Sequence, residues 1–376
     1  MTIEYLSQRL TADNQLCQSL DYTWYLIKCI DPDSTRLNEG WFKGPFSILN
    51  YARHHYRPPS HQQIEWTFPI DYKKLHFHEP MPETKALMEL IETIKPDFMF
   101  SLHNSGFGGV YFYITEPAPA LYEPFHKLVE SQELPLHLGE TETPYTKEYA
   151  KAIFGMTNIS DEYDYLEQNG ENNPAEIIIS GTDSFDYARR FCNSFGLVCE
   201  LPYFYNPMIH NASPSDMLRR DAVLSEVTQA RADFSYLREQ YDSVKVSLNV
   251  TSPFRDTIEE TLRHINHHLD ARENWAKTDT QTARMATEAE KFDSLMLEKF
   301  YRVFSFGMFV RMLEAEIATT GKTGTLSTVY ERVKADFEER VSDLEANLDY
   351  TVIPIQKLVR VQLGSALLAA TYAAQR

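Results

Sequence analysis

A chain of 376 residues with 22 tyrosines and 22 phenylalanines has material for one large core or two smaller ones. Its 54 acidic against 36 basic residues leave a net charge of −18, which repels phosphate backbones and argues against general nucleic-acid binding. Cys17, Cys29, Cys192 and Cys199 form no CxxC pair, and no apolar run reaches the roughly 18–20 residues of a membrane helix, so a cytoplasmic protein without a membrane partner is expected.

Residues 2–19 read as an amphipathic helix, with Ile3, Leu6, Leu10 and Leu16 on one stripe. YTWYLIKCI (22–30) is a β-rich run that closes on DPDS, read as a turn. Residues 40–82 are rich in proline and aromatic residues and show little periodicity, as in a long ordered loop with room for one strand. PETKALMELIETI (82–94) predicts a helix, and KPDFMFSLH and GVYFYIT predict strands on either side of a glycine-rich turn. ALYEPFHKLVES (120–131) returns to helix, and 159–176 read as an acidic, Asn-rich loop. DSFDYARRFCNSF (183–195) predicts a helix and GLVCELPYF (196–204) a strand. This alternation implies an α/β fold, a mixed and mostly parallel sheet flanked by helices, over residues 1–215. From there a charged helical pattern dominates, so 216–376 are expected to form a helical region of three to five helices.

Two strands end on residues that carry chemistry. One ends at His103; the other carries Glu200 between Cys199 and Leu201, where a carboxylate needs a partner. In open α/β sheets the carboxyl ends of strands are the usual place for a site. An imidazole and a carboxylate there are parts of a zinc-hydrolase centre. Other histidines carry less. His76 and His78 in HFHEP read as an exposed pair, and His264 and His268, four apart on a helix, as a solvated face. GKTG (321–324) lacks the spacing of a phosphate loop.

Three stretches resemble the zinc carboxypeptidase family of metallopeptidases: IKCIDPDSTRLNEGWF (27–42), FMFSLHN (98–104) and SGTDSFDYARRFCNSFGLVCELPYF (180–204). The resemblance covers about residues 1–215 and implies a carboxypeptidase-like fold. It implies that His103 is a ligand of one Zn2+ per chain, and that Glu200 is the general base acting on water. Asn38 would hold the terminal carboxylate of a peptide or small amide substrate, and Phe185 and Asp186 would line the pocket for its last side chain. The family pattern has arginine where Glu39 stands, so Arg36, Arg53 or Arg57 would supply the positive charge. Tyr145 and Tyr163 are the candidates for a substrate-covering tyrosine. The His-x-x-Glu motif that brings the family's other two zinc ligands is not found before DPDS, and the expectation is that it precedes Met1 in a longer protein. Two other functions remain open: a peptide-binding descendant without zinc, and a zinc amidohydrolase acting on cell-wall peptides or acyl-amino acids.

Overall fold

The computed structural model describes residues 1–321 and 324–376, apart from the side chains of Leu16, Ser19 and Leu20. Leu16 of the expected stripe, and Lys322 and Thr323 of GKTG, therefore lie outside the described residues. The chain opens with α1 (Thr2–Ala12) and α2 (Asn14–Leu20), two helices where one was expected, separated at Asp13. Residues 22–30 form no ladder among the described residues. Exposure alternates along 21–27 as it would in a strand, but a strand needs a hydrogen-bonding neighbour, and Tyr25 and Ile27 face solvent instead.

DPDS is a helix start rather than a turn. The Asp31 side chain accepts from the Ser34 amide at 2.9 Å, and Pro32 opens α3 (Pro32–Phe42), where its missing N–H costs nothing. The stretch expected as loop holds α4 (Ile48–His54), short 3-10 turns at Ser60–Gln62 and Ile64–Trp66, and a hairpin of β1 (Ile70–Tyr72) and β2 (Leu75–Phe77). Then follow α5 (Pro82–Ile94), β3 (Phe98–Leu102), β4 (Tyr111–Ile114) and α6 (Pro119–Ser131), close to expectation. After β5 (Glu148–Ala150) and β6 (Ile153–Gly155) comes α7 (Ile159–Gln168), where a loop was expected. Its acidic composition hid a capping box between Asn158 and Asp161 and an apolar stripe of Ile159, Tyr163 and Leu166. The helix expected over 183–195 is only α8 (Ser184–Ala188), because β7 (Phe195–Glu200) already starts at Phe195, whose amide bonds Asp97. After β8 (Phe204–Tyr205) and β9 (Pro214–Leu218) the chain turns helical: α9 (Arg219–Val244), α10 (Pro253–Thr278), β10 (Met285–Thr287), α11 (Glu288–Phe292), a π-turn at Asp293–Leu297, α12 (Glu298–Thr320), α13 (Gly324–Asn347), β11 (Thr351–Val352) and α14 (Ile355–Ala373).

The fold is α/β. Its main sheet has the order β3-β7-β4-β6-β5, with β3–β7 and β4–β6 parallel and β4–β7 and β5–β6 antiparallel. Parallel pairs thus do not predominate as expected. The short return through residues 103–110 feeds β4 back against β7, which only an antiparallel ladder can accept. Strand alternation sorts the sheet into two faces. Phe112, Ile114, Leu197 and Cys199 pack under α6 and α14, while Tyr111, Tyr113 and Val198 face Phe185 of α8. The largest core runs across residue 215: Ile48, Tyr51, Phe107 and Phe204 pack with α9, α10, α12 and α13. Among the described residues no helix is long and apolar enough to cross a membrane.

Candidate active site

Register alone brings His103 and Glu200 together. β3 and β7 run parallel with Leu102 opposite Cys199, so the next residue of each strand, His103 and Glu200, emerges at the same sheet edge one strand spacing apart. Antiparallel β4 contributes its opposite end, with Tyr111 facing Glu200. The loop that carries His103 is pinned. Gln362 of α14 donates to the His103 carbonyl at 3.1 Å, and Asn104 donates to the Leu201 carbonyl at 3.1 Å. Gly109 lets this loop pass the 136–137 backbone, because a Cβ there would lie 2.4 Å from the His137 nitrogen.

His103 lies between two carboxylates. Its Nδ1 is 3.1 Å from Glu200 Oε1, and its Nε2 is 3.3 Å from Glu65 Oε2. Glu65 also meets Arg57 Nη2 through its other oxygen, at 3.3 Å. Burial alone would lower the imidazole, but the Glu200, Glu65 and Glu142 charges outweigh it and raise His103 to about 9. The ring is an imidazolium at neutral pH. The Glu200 side chain is 9% exposed and His103 31%, so solvent reaches the pair from the histidine side. Glu142 accepts hydrogen bonds from the hydroxyls of Tyr111 and Tyr113. The surrounding protein and the Glu200 charge push its carboxyl above the ordinary range. Tyr51 and Tyr203 complete the surroundings, their phenols held protonated by burial and by the Glu200 charge.

Of the residues expected at the site, the structure brings together His103, Glu200 and Arg57; Phe185 belongs to the apolar cluster of Tyr111, Tyr113 and Val198 and sits against Gly196, four residues before Glu200 on β7. Asn38 is committed to the fold instead. Its Nδ2 donates to the carbonyls of Ser34 and Tyr56, and its Oδ1 accepts from the Tyr56 amide and Trp41 Nε1, all at 2.9 Å. That leaves no amide hydrogen for a substrate. Arg36 is exposed on α3 and is not a partner of the cluster, and Arg53 pairs with both oxygens of Glu314 on α12. Asp186 accepts from Thr182 Oγ1 at 2.9 Å within the α8 cap. Tyr145 packs against Tyr165, and Tyr163 is core against Tyr72, so both are engaged away from His103 and Glu200. Glu65 and Glu142 went unseen in the sequence. Glu65 lies in a single 3-10 turn and Glu142 in an irregular segment, where no period marks a carboxylate, although the alternation of Tyr111 and Tyr113 along VYFYI put both rings on one face.

The donor chemistry does not complete a zinc site. Among the described residues no three His, Cys, Asp or Glu side chains come together to hold a metal ion, and His103 has both ring nitrogens against carboxylates. Comparison with family models, with curated proteins and with solved structures finds no match.

Proposed function

We propose that this chain carries a carboxypeptidase-like hydrolytic site that cleaves an amide bond at the free carboxyl end of a peptide, with Glu200 as general base. The observation that supports this is the register that sets His103 beside Glu200 at the carboxyl ends of two parallel strands. Glu200, buried and held by the His103 imidazolium, takes a proton from the attacking water and returns it to the leaving amine. Arg57, whose Nε and Nη2 rest on Gln63 and Glu65 at the mouth of the cluster, receives the substrate's carboxylate. Phe185 and the tyrosines supply an apolar wall for the last side chain. The resemblance implies a zinc ion that would supply Lewis-acid chemistry; to be a ligand His103 would have to lose a ring proton and release one of its carboxylates, and the described residues do not supply the other ligands.

The test is hydrolysis of N-acyl dipeptides, with acyl-amino acids and cell-wall peptides as a parallel panel and zinc supplied throughout. Glu200→Gln is expected to lower kcat by about 10²–10⁴-fold with its far-ultraviolet circular dichroism unchanged. Retained activity would refute the base assignment. The second reading, peptide binding without zinc, is favoured by the two carboxylates that occupy both nitrogens of His103. Under that reading elemental analysis finds no zinc, and the same dipeptides bind without turnover.

A further inference from the structure

The sheet fixes where the His103 ring begins but not which edge of it faces Glu200. A half-turn about its last torsion would set Cδ2 in place of Nδ1 and Cε1 in place of Nε2, so the choice belongs to whatever holds the far nitrogen. That group is Glu65, 38 residues upstream and on no strand of the sheet.

Three anchors place it. The 3-10 turn Ile64–Trp66 is bonded to the α8 side through the Gly181 amide, which donates to the Trp66 carbonyl at 2.7 Å, and to α5 through Thr84 Oγ1, which donates to the Ile64 carbonyl at 3.1 Å. The preceding residues are tied to α10: Glu260 accepts from the Ser60 amide at 2.8 Å and faces His61 Nδ1 at 3.1 Å, and Thr257 Oγ1 donates to the Arg57 carbonyl at 3.0 Å. Arg57 then braces Glu65 from outside.

We infer that Glu65 is a positioning residue of this site: its carboxylate, ion-paired with His103 Nε2 at 3.3 Å, fixes the ring with Nδ1 toward Glu200. This rests on the reading of His103 and Glu200 as the working pair. Carboxylates that orient a working histidine through its second nitrogen typically change activity by about 10–100-fold when removed. The same anchors give the helical region a part in the site, since α10 holds the loop that Glu65 stands on.

The experiment is proton NMR of 15N-histidine-labelled protein at pH 7, with His103→Asn to assign the ring signals. In the native chain both His103 ring protons are expected far downfield, sheltered from exchange by their carboxylates. In Glu65→Ala the Nε2 proton signal is lost and the Nδ1 signal stays. In Glu65→Gln, which keeps the shape and an acceptor oxygen but not the charge, the Nε2 signal persists and moves upfield. A Glu65→Ala spectrum with both protons unchanged would overturn the assignment. So would a Glu65→Gln spectrum identical to the native one, should the alanine variant fail to fold. Because these signals need no turnover, a chain that hydrolyses nothing would count against the proposed reaction and leave the role of Glu65 decided by the spectra alone.

Discussion

His103 carries a pH signature that follows from its neighbours. Its folded-state value is about 9 against an ordinary 6.5, so the proton is bound more tightly in the fold than in the unfolded chain. The stabilisation it contributes is complete below about pH 6.5 and is lost as pH rises through about 9. Thermal unfolding of the native chain and His103→Asn across pH 5 to 10 is expected to show a gap in Tm that is widest at the acid end of that window and closes above it. A gap that widened with pH would contradict the pairing. How far single residues could be read from sequence depended on what competes for them. His103 and Glu200 stood out because strand ends place them, and a buried carboxylate demands a partner. Asn38 did not keep its expected role because Ser34 and Trp41 of its own helix and the backbone of Tyr56 together take all of its hydrogen-bonding capacity. The Tyr56 half of that competition comes from a segment 18 residues away and leaves no mark in the local pattern.

At the scale of elements, the helix–strand succession from Pro82 to Ser131 was legible because the apolar period is clear there and a proline opens each helix. Residues 159–168 were misread because net acidity outweighed a capping box in the reading, though not in the fold. The crossing of α4 and α12 shows an element contact that composition cannot reveal. Gly307 of α12 lies so close to α4 that a Cβ would sit 2.3 Å from the Ala52 carbonyl oxygen. Gly307→Ala would gain about 1 kcal/mol of helix propensity and lose about 1–3 kcal/mol by forcing the helices apart. The net expectation is a loss of stability, read as a lower urea midpoint at unchanged slope. A higher midpoint would mean that the helices separate freely.

Across the whole molecule, the sheet and the helical region are joined by buried charge. Arg219 of α9 grips Glu140 through both carboxylate oxygens, at 2.8 and 2.6 Å, with each side chain a tenth exposed or less. Asp293 accepts from the Glu140 amide at 3.0 Å and faces His137 Nε2 at 3.1 Å, fixing the segment that leads to Glu142. Arg219→Met would strand Glu140 as a buried charge and is expected to cost about 3–5 kcal/mol by urea unfolding. Adding Glu140→Gln to that variant is expected to recover a large part of the loss. No recovery would mean that the arginine acts through packing alone. The sheet order has a consequence in time as well as space. β7 lies between β3 and β4 yet is made about 80 to 100 residues after them, so during synthesis those two strands wait for the strand that joins them. The sheet can close only once residue 200 has left the ribosome, and its α14 face stays uncovered until the last helix follows. Between β4 and β7 the nascent chain therefore presents open strand edges, and chaperone capture is expected to centre on that interval.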